Sequence, residues 1–97
     1  MRVLSKKTLK TYWTIHQDCE QQLKTWYKES EEAIWKNPND IKRDYPSTSF
    51  LEDSSVVFNI KENKYRIMIS VNYDFGIVCI RFVGTLAAYE KINASKI

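Results

Sequence analysis

Two spacings of apolar residues divide the chain into a helical first half and a stranded second half. In the first half, apolar and aromatic side chains recur every three or four positions, at Leu9, Tyr12, Trp13 and His16 and then at Cys19, Leu23, Trp26, Tyr27, Ser30, Ala33 and Ile34. This period predicts two amphipathic helices, of which the second is the longest element. A short strand at Arg2–Leu4 precedes them. Asn37 followed by Pro38 predicts a third, brief helix that ends before Pro46.

In the second half, apolar and polar residues alternate. Alternation over residues 56–60, 65–73 and 77–83 predicts three strands, because successive side chains of a strand point to opposite faces. A turn at Asp74-Phe75-Gly76 joins the last two strands, and residues 47–55 are a predicted loop. We therefore predict one α+β domain over residues 1–97, with N-terminal helices packed on one face of a twisted antiparallel sheet and the other face open.

Several polar residues are placed to start helices. Ser5 is a predicted cap of the first helix, and Asp18 with Gln21 three residues later has the pattern of a capping box for the second. Near the end of the chain, a Gly84-Thr85 break follows the last strand, with Thr85 as a predicted cap. The short helix after it would bring Tyr89 back over the end of the strand, one turn from Leu86.

Composition excludes several classes of function. Two cysteines without a second ligand cluster argue against a zinc site, and two glycines in 97 residues leave no Gly-rich phosphate loop. No apolar run has membrane-spanning length and no signal-peptide core opens the chain, so we predict a cytoplasmic protein without a membrane partner. Three tryptophans and six tyrosines are a large aromatic share, which favours core packing over a stacking surface.

Arg66 and Arg81 are the two cations placed inside apolar strands. Burying a charge is costly, so each either pairs with an acid of the helical half, such as Glu20 or Asp44, or reaches the open face, where two guanidinium groups could clamp a phosphate. The register of the hairpin determines whether Arg66 and Arg81 lie on the same face of the sheet or on opposite faces. A three-residue connection puts them on opposite faces, whereas a two- or four-residue connection puts both on one face. We predict a two- or four-residue connection.

Three other residues deserve testing against simpler roles. Lys61 and Lys64 lie in the turn before the strand at 65–73, where they are either solvated or steer and neutralise an RNA backbone. His16 is the single histidine, and therefore the one side chain with an ordinary pKa near neutrality. Its place on the apolar stripe of the first helix favours a structural role.

The order of motifs along the chain resembles the HigB family of bacterial toxins. In the C-terminal signature of that family, Gly-Thr is followed by histidine and then by Ala-Glu-Tyr-Asp; here the block is Arg81-Phe82-Val83-Gly84-Thr85 with Tyr89 beyond it. Other matching blocks occur along nearly the whole chain: Arg2-Val3-Leu4-Ser5-Lys6-Lys7, Trp13 with His16, Glu20-Gln21 with Leu23, Trp26 and Tyr27, Asp40-Ile41-Lys42, Tyr45-Pro46 with Ser49-Phe50-Leu51, Val56-Val57-Phe58-Asn59-Ile60-Lys61, and Asn63 with Tyr65-Arg66.

The resemblance implies a RelE-like fold and a metal-independent, cofactor-free endonuclease that cuts mRNA on the translating ribosome by attack of the ribose 2′-hydroxyl. Carried over by position, Arg66 and Arg81 would stabilise the phosphorane, and Lys61 and Lys64 would bind the RNA backbone. Tyr89 would orient the RNA or donate a proton to it, and residue 86 would transfer a proton. The implied partner is a HigA-type helix-turn-helix antitoxin, through which the toxin would meet operator DNA.

Two positions depart from the family pattern. Leu86 stands where the family has histidine, and Ala88 stands where it has glutamate. Leucine cannot transfer a proton, and loss of a general acid or base costs about 10²- to 10⁴-fold in rate. The sequence therefore predicts an attenuated endonuclease toxin. The alternative is a non-catalytic relative that keeps antitoxin or ribosome binding and has lost RNA cleavage.

Overall fold

The computed structural model describes residues 1–51 and 54–92, which form four helices and one five-stranded sheet. The helices are α1 (Lys6–Ile15), α2 (Glu20–Glu32), α3 (Pro38–Asp44) and α4 (Leu86–Glu90), with a 3-10 turn at Gln17–Cys19 between α1 and α2. The strands are β1 (Arg2–Leu4), β2 (Ser49–Phe50), β3 (Ser55–Ile60), β4 (Tyr65–Asn72) and β5 (Ile77–Thr85). In this part of the chain, no helix combines the length and apolar character needed to cross a membrane.

The sheet has the order β1-β5-β4-β3-β2 and is mixed. Strands β2 to β5 pair antiparallel with their neighbours, but β1 pairs parallel with β5, from Arg2 opposite Ile77 to Leu4 opposite Cys79. The α+β class is confirmed, while the expectation of a wholly antiparallel sheet is wrong. The pattern of a three-residue strand carries no information about its neighbour or its direction.

One face of the sheet packs against helices α1 to α3 and contains the core. The core joins Leu9 and Trp13 of α1 and Leu23 and Trp26 of α2 to the sheet side chains Val56, Phe58, Ile60, Tyr65, Ile67, Ile69, Val71, Val78 and Ile80. Phe58 lies at the centre of a group of rings, with its centroid 5.3 Å from that of Trp26 and 5.1 Å from that of Tyr45. The prediction that most aromatic residues build the core is therefore confirmed.

Alternation defines a second face, which we call the open face. On β4 the core residues are odd-numbered, so Arg66, Met68, Ser70 and Asn72 point away from the helices. Met68 and Val57, which are paired across β3 and β4, are nevertheless only 1% and 3% exposed. The middle of the open face is thus apolar, and its polar side chains lie toward the ends of the strands.

The β4–β5 hairpin has a four-residue connection, one of the two lengths that we predicted to bring both arginines to one face, although Tyr73 belongs to the loop and not to the strand. Asn72 pairs with Ile77, which leaves residues 73–76 as the loop, with Gly76 at a φ of 66°. The register then shifts once between Met68 and Ile69, because Ile69 pairs with Ile80 whereas Met68 pairs with Phe82. Arg81 is the residue left without a partner, so it is the extra residue of a β-bulge.

Some local expectations are wrong. Ser5 precedes α1 in a left-handed conformation and its side chain makes no cap hydrogen bond. Ile34, assigned to the apolar stripe of the second helix, follows the end of α2 and is 74% exposed. The predicted loop at 47–55 contains strand β2, and its residues 52–53 lie outside the described part. The predicted caps at Asn37 and Thr85 are confirmed, since they accept hydrogen bonds from the backbone N–H groups of Asp40 and Ala88.

Asp18 is not the predicted capping box but a link between the helices and the sheet. Helix α2 begins at Glu20 without a side-chain cap. The Asp18 carboxylate instead accepts a 2.7 Å hydrogen bond from the Tyr65 hydroxyl and a 3.0 Å hydrogen bond from Lys64 Nζ, with Lys61 Nζ at 3.5 Å. The hydrogen bond from Tyr65, followed by that from Lys64, holds the pKa of Asp18 well below its usual range.

We expect Asp18→Asn to lower the stability of the protein at neutral pH, because asparagine removes the charge that both lysines face. The pKa of Asp18 is lower in the folded than in the unfolded chain, so the stabilisation is complete above about pH 4 and is lost as the pH falls through the folded-state pKa. Urea unfolding of both proteins should show a stability difference that is constant from pH 5 to 8 and shrinks below about pH 4. A difference that persists unchanged to pH 2 would contradict this assignment.

Candidate active site

Arg66 lies on the open face near the start of β4, directly opposite Gly84 of β5. Its side chain is half-buried, and Nη1 donates a long, 3.4 Å hydrogen bond to the Asn63 side-chain oxygen. Arg66 and Arg81 form no salt bridge with any acid in residues 1–51 and 54–92, and the alternative partners are engaged elsewhere: Glu20 pairs with Lys24, and Asp44 accepts from Trp35. The guanidinium groups therefore keep their donors available for an anion.

Gly84 allows two aromatic rings to meet beside Arg66. A Cβ at this position would lie 2.7 Å from the tip of the Phe82 ring, so the ring folds along the strand over Gly84. The Phe82 ring in turn meets Tyr89 of α4, with centroids 6.0 Å apart and planes tilted by 56°. Tyr89 is thereby held at the end of the sheet where Arg66 lies. Phe82 was missed by the sequence analysis because its even number gave it the same parity as the core residues Val78 and Ile80.

Thr85 fixes the start of α4 next to the β3–β4 turn. Its hydroxyl oxygen accepts a 3.1 Å hydrogen bond from the N–H of Ala88, and the N–H of Leu86 donates a 3.0 Å hydrogen bond to the carbonyl oxygen of Lys64. Strand β5 runs through Gly84 and Thr85 without the break that we expected. Leu86 is half-buried at the first position of α4, and its side chain has no group that can exchange a proton.

Arg81 occupies the bulge of β5. It is exposed, and Gly84, the partner of Arg66, lies three positions further along β5, which is roughly 10 Å along a strand. An arginine side chain can cover much of such a distance. The sequence could not show that Arg81 is the unpaired residue, since apolar spacing alone does not identify bulges.

Lys61 and Lys64 reach toward the helices in this structure. Lys61 Nζ donates to the backbone oxygen of Asp18 at 2.6 Å, and Lys64 Nζ lies 3.0 Å from the Asp18 carboxylate. The turn that carries them is unusual, because Lys61, Glu62 and Asn63 all have positive φ values of 51° to 70°. Asp18, which was predicted to cap the second helix, instead contacts these two lysines next to the candidate site.

His16 does not join the residues of the open face. It follows α1 and stacks on Tyr12 with ring centroids 4.1 Å apart, while the edge of Tyr65 contacts both rings. Tyr65 itself is buried among the core residues, as its parity predicted. The stacked arrangement gives His16 a packing role and leaves no histidine near Arg66 and Tyr89.

The arrangement can bind an anion but contains no metal centre. In the described part of the chain, no three His, Cys, Asp or Glu side chains are grouped to hold a metal ion. Arg66 supplies a positive fork, Phe82 and Tyr89 supply flat apolar surfaces, and Tyr89 also carries a hydroxyl that can donate a proton. These are features suited to a phosphate next to an aromatic base.

Comparison with known proteins identifies the family of the chain. The search of curated proteins returns no match. The family model described as HigB_toxin, the RelE-like toxic component of a toxin-antitoxin system, matches residues 19–92, well over half of the 97-residue chain. The matched region contains α2 to α4 and strands β2 to β5, and the helices on a five-stranded mixed sheet are consistent with a RelE-like fold. The chain therefore belongs to the HigB toxin family, whose members act as the toxins of toxin-antitoxin systems and have an antitoxin as partner.

Proposed function

We propose that the open face is an attenuated endoribonuclease site that acts on mRNA bound to the translating ribosome. The observation that supports this best is the grouping of Arg66, Phe82 and Tyr89 at one end of the open face, beside the start of α4. The family membership supplies the toxin role. The substrate and the reaction are those that the resemblance to the HigB family implies, and the side chains grouped here are compatible with that chemistry.

In the proposed reaction, the 2′-hydroxyl of a ribose loses its proton and attacks the adjacent phosphorus. The bond from phosphorus to the 5′-oxygen breaks, which leaves a 2′,3′-cyclic phosphate and a 5′-hydroxyl that must gain a proton. Negative charge builds on the phosphorane oxygens during this exchange, and guanidinium groups stabilise such charge in a site of low water content. Neither a metal nor a cofactor is needed.

Arg66 and Arg81 are the proposed phosphorane-binding pair. Ile80 faces the helices, so alternation puts the next residue, Arg81, on the side of the sheet to which Arg66 points. Lys61 and Lys64 would contribute phosphate contacts at the neighbouring turn. Tyr89 would orient the nucleotide or donate a proton to the 5′-oxygen.

Leu86 is the reason to expect weak catalysis. The N–H of Leu86 is fixed to the turn and α4 is capped, so the frame for a proton-transfer group at this position is intact. The side chain in that frame is aliphatic. The second candidate function is that of a relative that binds its partners but has lost RNA cleavage. It rests on the same side chain at position 86 together with Ala88. The two functions differ in whether residual cleavage of translated mRNA can be measured.

The partner is proposed to be a HigA-type helix-turn-helix antitoxin that neutralises the toxin and carries it to operator DNA. Helix α2 offers acidic side chains at its surface, among them Glu32, which is exposed at the last position of the helix. This surface lies on the helix side of the sheet. An antitoxin could therefore dock there without filling the open face.

We expect Leu86→His, alone or with Ala88→Glu, to convert a tolerated protein into one that arrests growth and cuts translated mRNA about 10²- to 10⁴-fold faster. Histidine restores a group that exchanges protons near pH 7, about one helical turn from Tyr89. Growth after induction and primer-extension mapping of message ends are the measurements. The matched control is Leu86→Asn, which is polar but cannot act as a base. A native chain that is already fully toxic, or a folded Leu86→His protein that cuts nothing, would contradict the role of position 86.

In the Leu86→His background, Arg66→Ala and Arg81→Ala should each reduce cleavage strongly. Arg→Lys at either position should restore only part of the loss, because lysine keeps the charge but not the bidentate fork. If both groups bind one phosphorane, the double variant should lose less than the product of the single losses. Rate measurements on purified complexes decide this. Strictly multiplicative losses, or a structure with the two guanidinium groups on opposite faces, would refute a shared site.

Co-expression with a HigA-type antitoxin should yield a stable heteromer that purifies together at low salt. Because α2 and the open face lie on opposite sides of the sheet, Arg66→Ala should leave co-purification unchanged. Charge reversal of Glu32 should weaken it. Failure of the native chain to co-purify would count against the proposed partner.

A further inference from the structure

We propose that the Asp18 carboxylate competes with RNA phosphate for Lys61 and Lys64 and thereby limits the affinity of the protein for RNA. The inference deepens the proposed function, because it assigns a restraint to the same RNA-binding surface. It depends on contacts of Asp18 that neither the family match nor the proposed cleavage chemistry explains.

Lys61 and Lys64 both contact Asp18. Both ammonium groups lie within 3.5 Å of Asp18 oxygens, although the two residues sit at different positions of a four-residue turn. Three successive residues with positive φ values, Lys61 to Asn63, give the turn its shape. The turn therefore brings two cations to one carboxylate, an arrangement that a solvated hairpin turn would not need.

Lys64 contacts both the proposed site and Asp18. Its carbonyl oxygen accepts the hydrogen bond from the N–H of Leu86, so its backbone touches the first residue of α4. Its side chain, by contrast, binds Asp18, which belongs to the 3-10 turn on the helix side. One residue thus contacts both the proposed cleavage centre and the carboxylate that holds its charge.

The ion pair between Asp18 and Lys64 can be exchanged for a contact between Lys64 and an RNA phosphate. The Asp18 side chain is 40% exposed and that of Lys64 is 60% exposed, so water and salt reach the pair. Exposed ion pairs of this kind are weak, and an RNA phosphate offers a lysine an interaction of comparable strength. The Tyr65 hydroxyl, which donates to Asp18 at 2.7 Å, keeps the carboxylate in place whether or not the lysines remain bound to it.

Asp18 therefore acts on RNA through the lysines and is a restraining residue, not a catalytic one. When Asp18 holds both lysines, the surface presents Arg66 and Arg81 as its main cations. When RNA displaces Asp18, up to two more phosphate contacts form, but the carboxylate must give up its partners. The net gain from the lysines is small as long as Asp18 is charged.

The test is equilibrium binding of a short single-stranded RNA, measured by fluorescence anisotropy from 50 to 200 mM salt. Asp18→Asn removes the competing charge while the side-chain oxygen can still accept from Tyr65. We expect about two- to tenfold tighter binding at the lowest salt, and a slope of log affinity against log salt that is steeper by up to about 1.4 for two released lysines.

Two controls separate this effect from a general change in charge. Glu20→Gln removes one negative charge two residues away, where the carboxylate is paired with Lys24 at 2.6 Å, and should change affinity much less. Lys61→Ala with Lys64→Ala should weaken RNA binding in the native chain, and adding Asp18→Asn to this double variant should then bring no gain in affinity. Thermal melts monitored by circular dichroism establish that each variant is folded.

Each outcome bears on the inference. Unchanged affinity and slope in a folded Asp18→Asn protein, with binding that still depends on Arg66, would overturn the competition and leave the proposed function standing. An equal gain from Glu20→Gln would overturn it as well, because the effect would then be one of net charge. Absence of RNA binding in every variant, including Leu86→His, would remove the inference together with the proposed function.

Discussion

A single extra residue in β5 determines which side chains meet on the open face. From Ile77 to Ile80 the strand keeps the register set by the four-residue hairpin, and beyond Arg81 the register is shifted by one. Because a shift by one residue exchanges the two faces of a strand, Phe82 and Gly84 lie opposite Met68 and Arg66 and not over the core. Without this bulge, Phe82 would be directed toward the helices and Tyr89 would have no ring to pack against.

The helix side of the sheet explains why the bulge is tolerated. Bulges interrupt the hydrogen-bonded ladder, so the neighbouring pairs must be held by packing. The pair Ile69 and Ile80 on one side of the shift and Ile67 on the other side are all buried in the core, and the rings around Phe58 fill further volume beneath the sheet. Large rings bury about 150–250 Å² each, so a few of them give a small domain a large buried apolar area. The core therefore fixes the register on both sides of Arg81, and the irregular residue is left at the exposed surface.

The sequence predicted those parts of the fold that depend on near neighbours. The helical and stranded periods and the caps at Asn37 and Thr85 follow from residues close together in the chain. The parallel pairing of β1, the bulge at Arg81 and the contact of Asp18 with Tyr65, 47 residues away, could not be predicted in this way. Asp18 shows the difficulty most clearly: the local pattern favours a capping box, but a distant hydroxyl and two lysines offer the carboxylate more hydrogen bonds than a helix start would.

The residues of the candidate site show the same division. Arg66 and Tyr89 became candidates because a charge in an apolar strand and a tyrosine one turn after a helix cap are visible in the sequence itself, whereas the contact of Phe82 with Tyr89 depends on the register shift. In the site that we propose, the cations belong to β4 and β5 and the proton-transfer groups belong to α4. A substitution at position 86 would therefore alter proton transfer and leave in place the cap at Thr85, the packing of Phe82 on Tyr89 and the position of Arg66. Because separate contacts hold the cations and the proton-transfer groups, we expect such a substitution to weaken cleavage without loss of anion binding and without unfolding the protein.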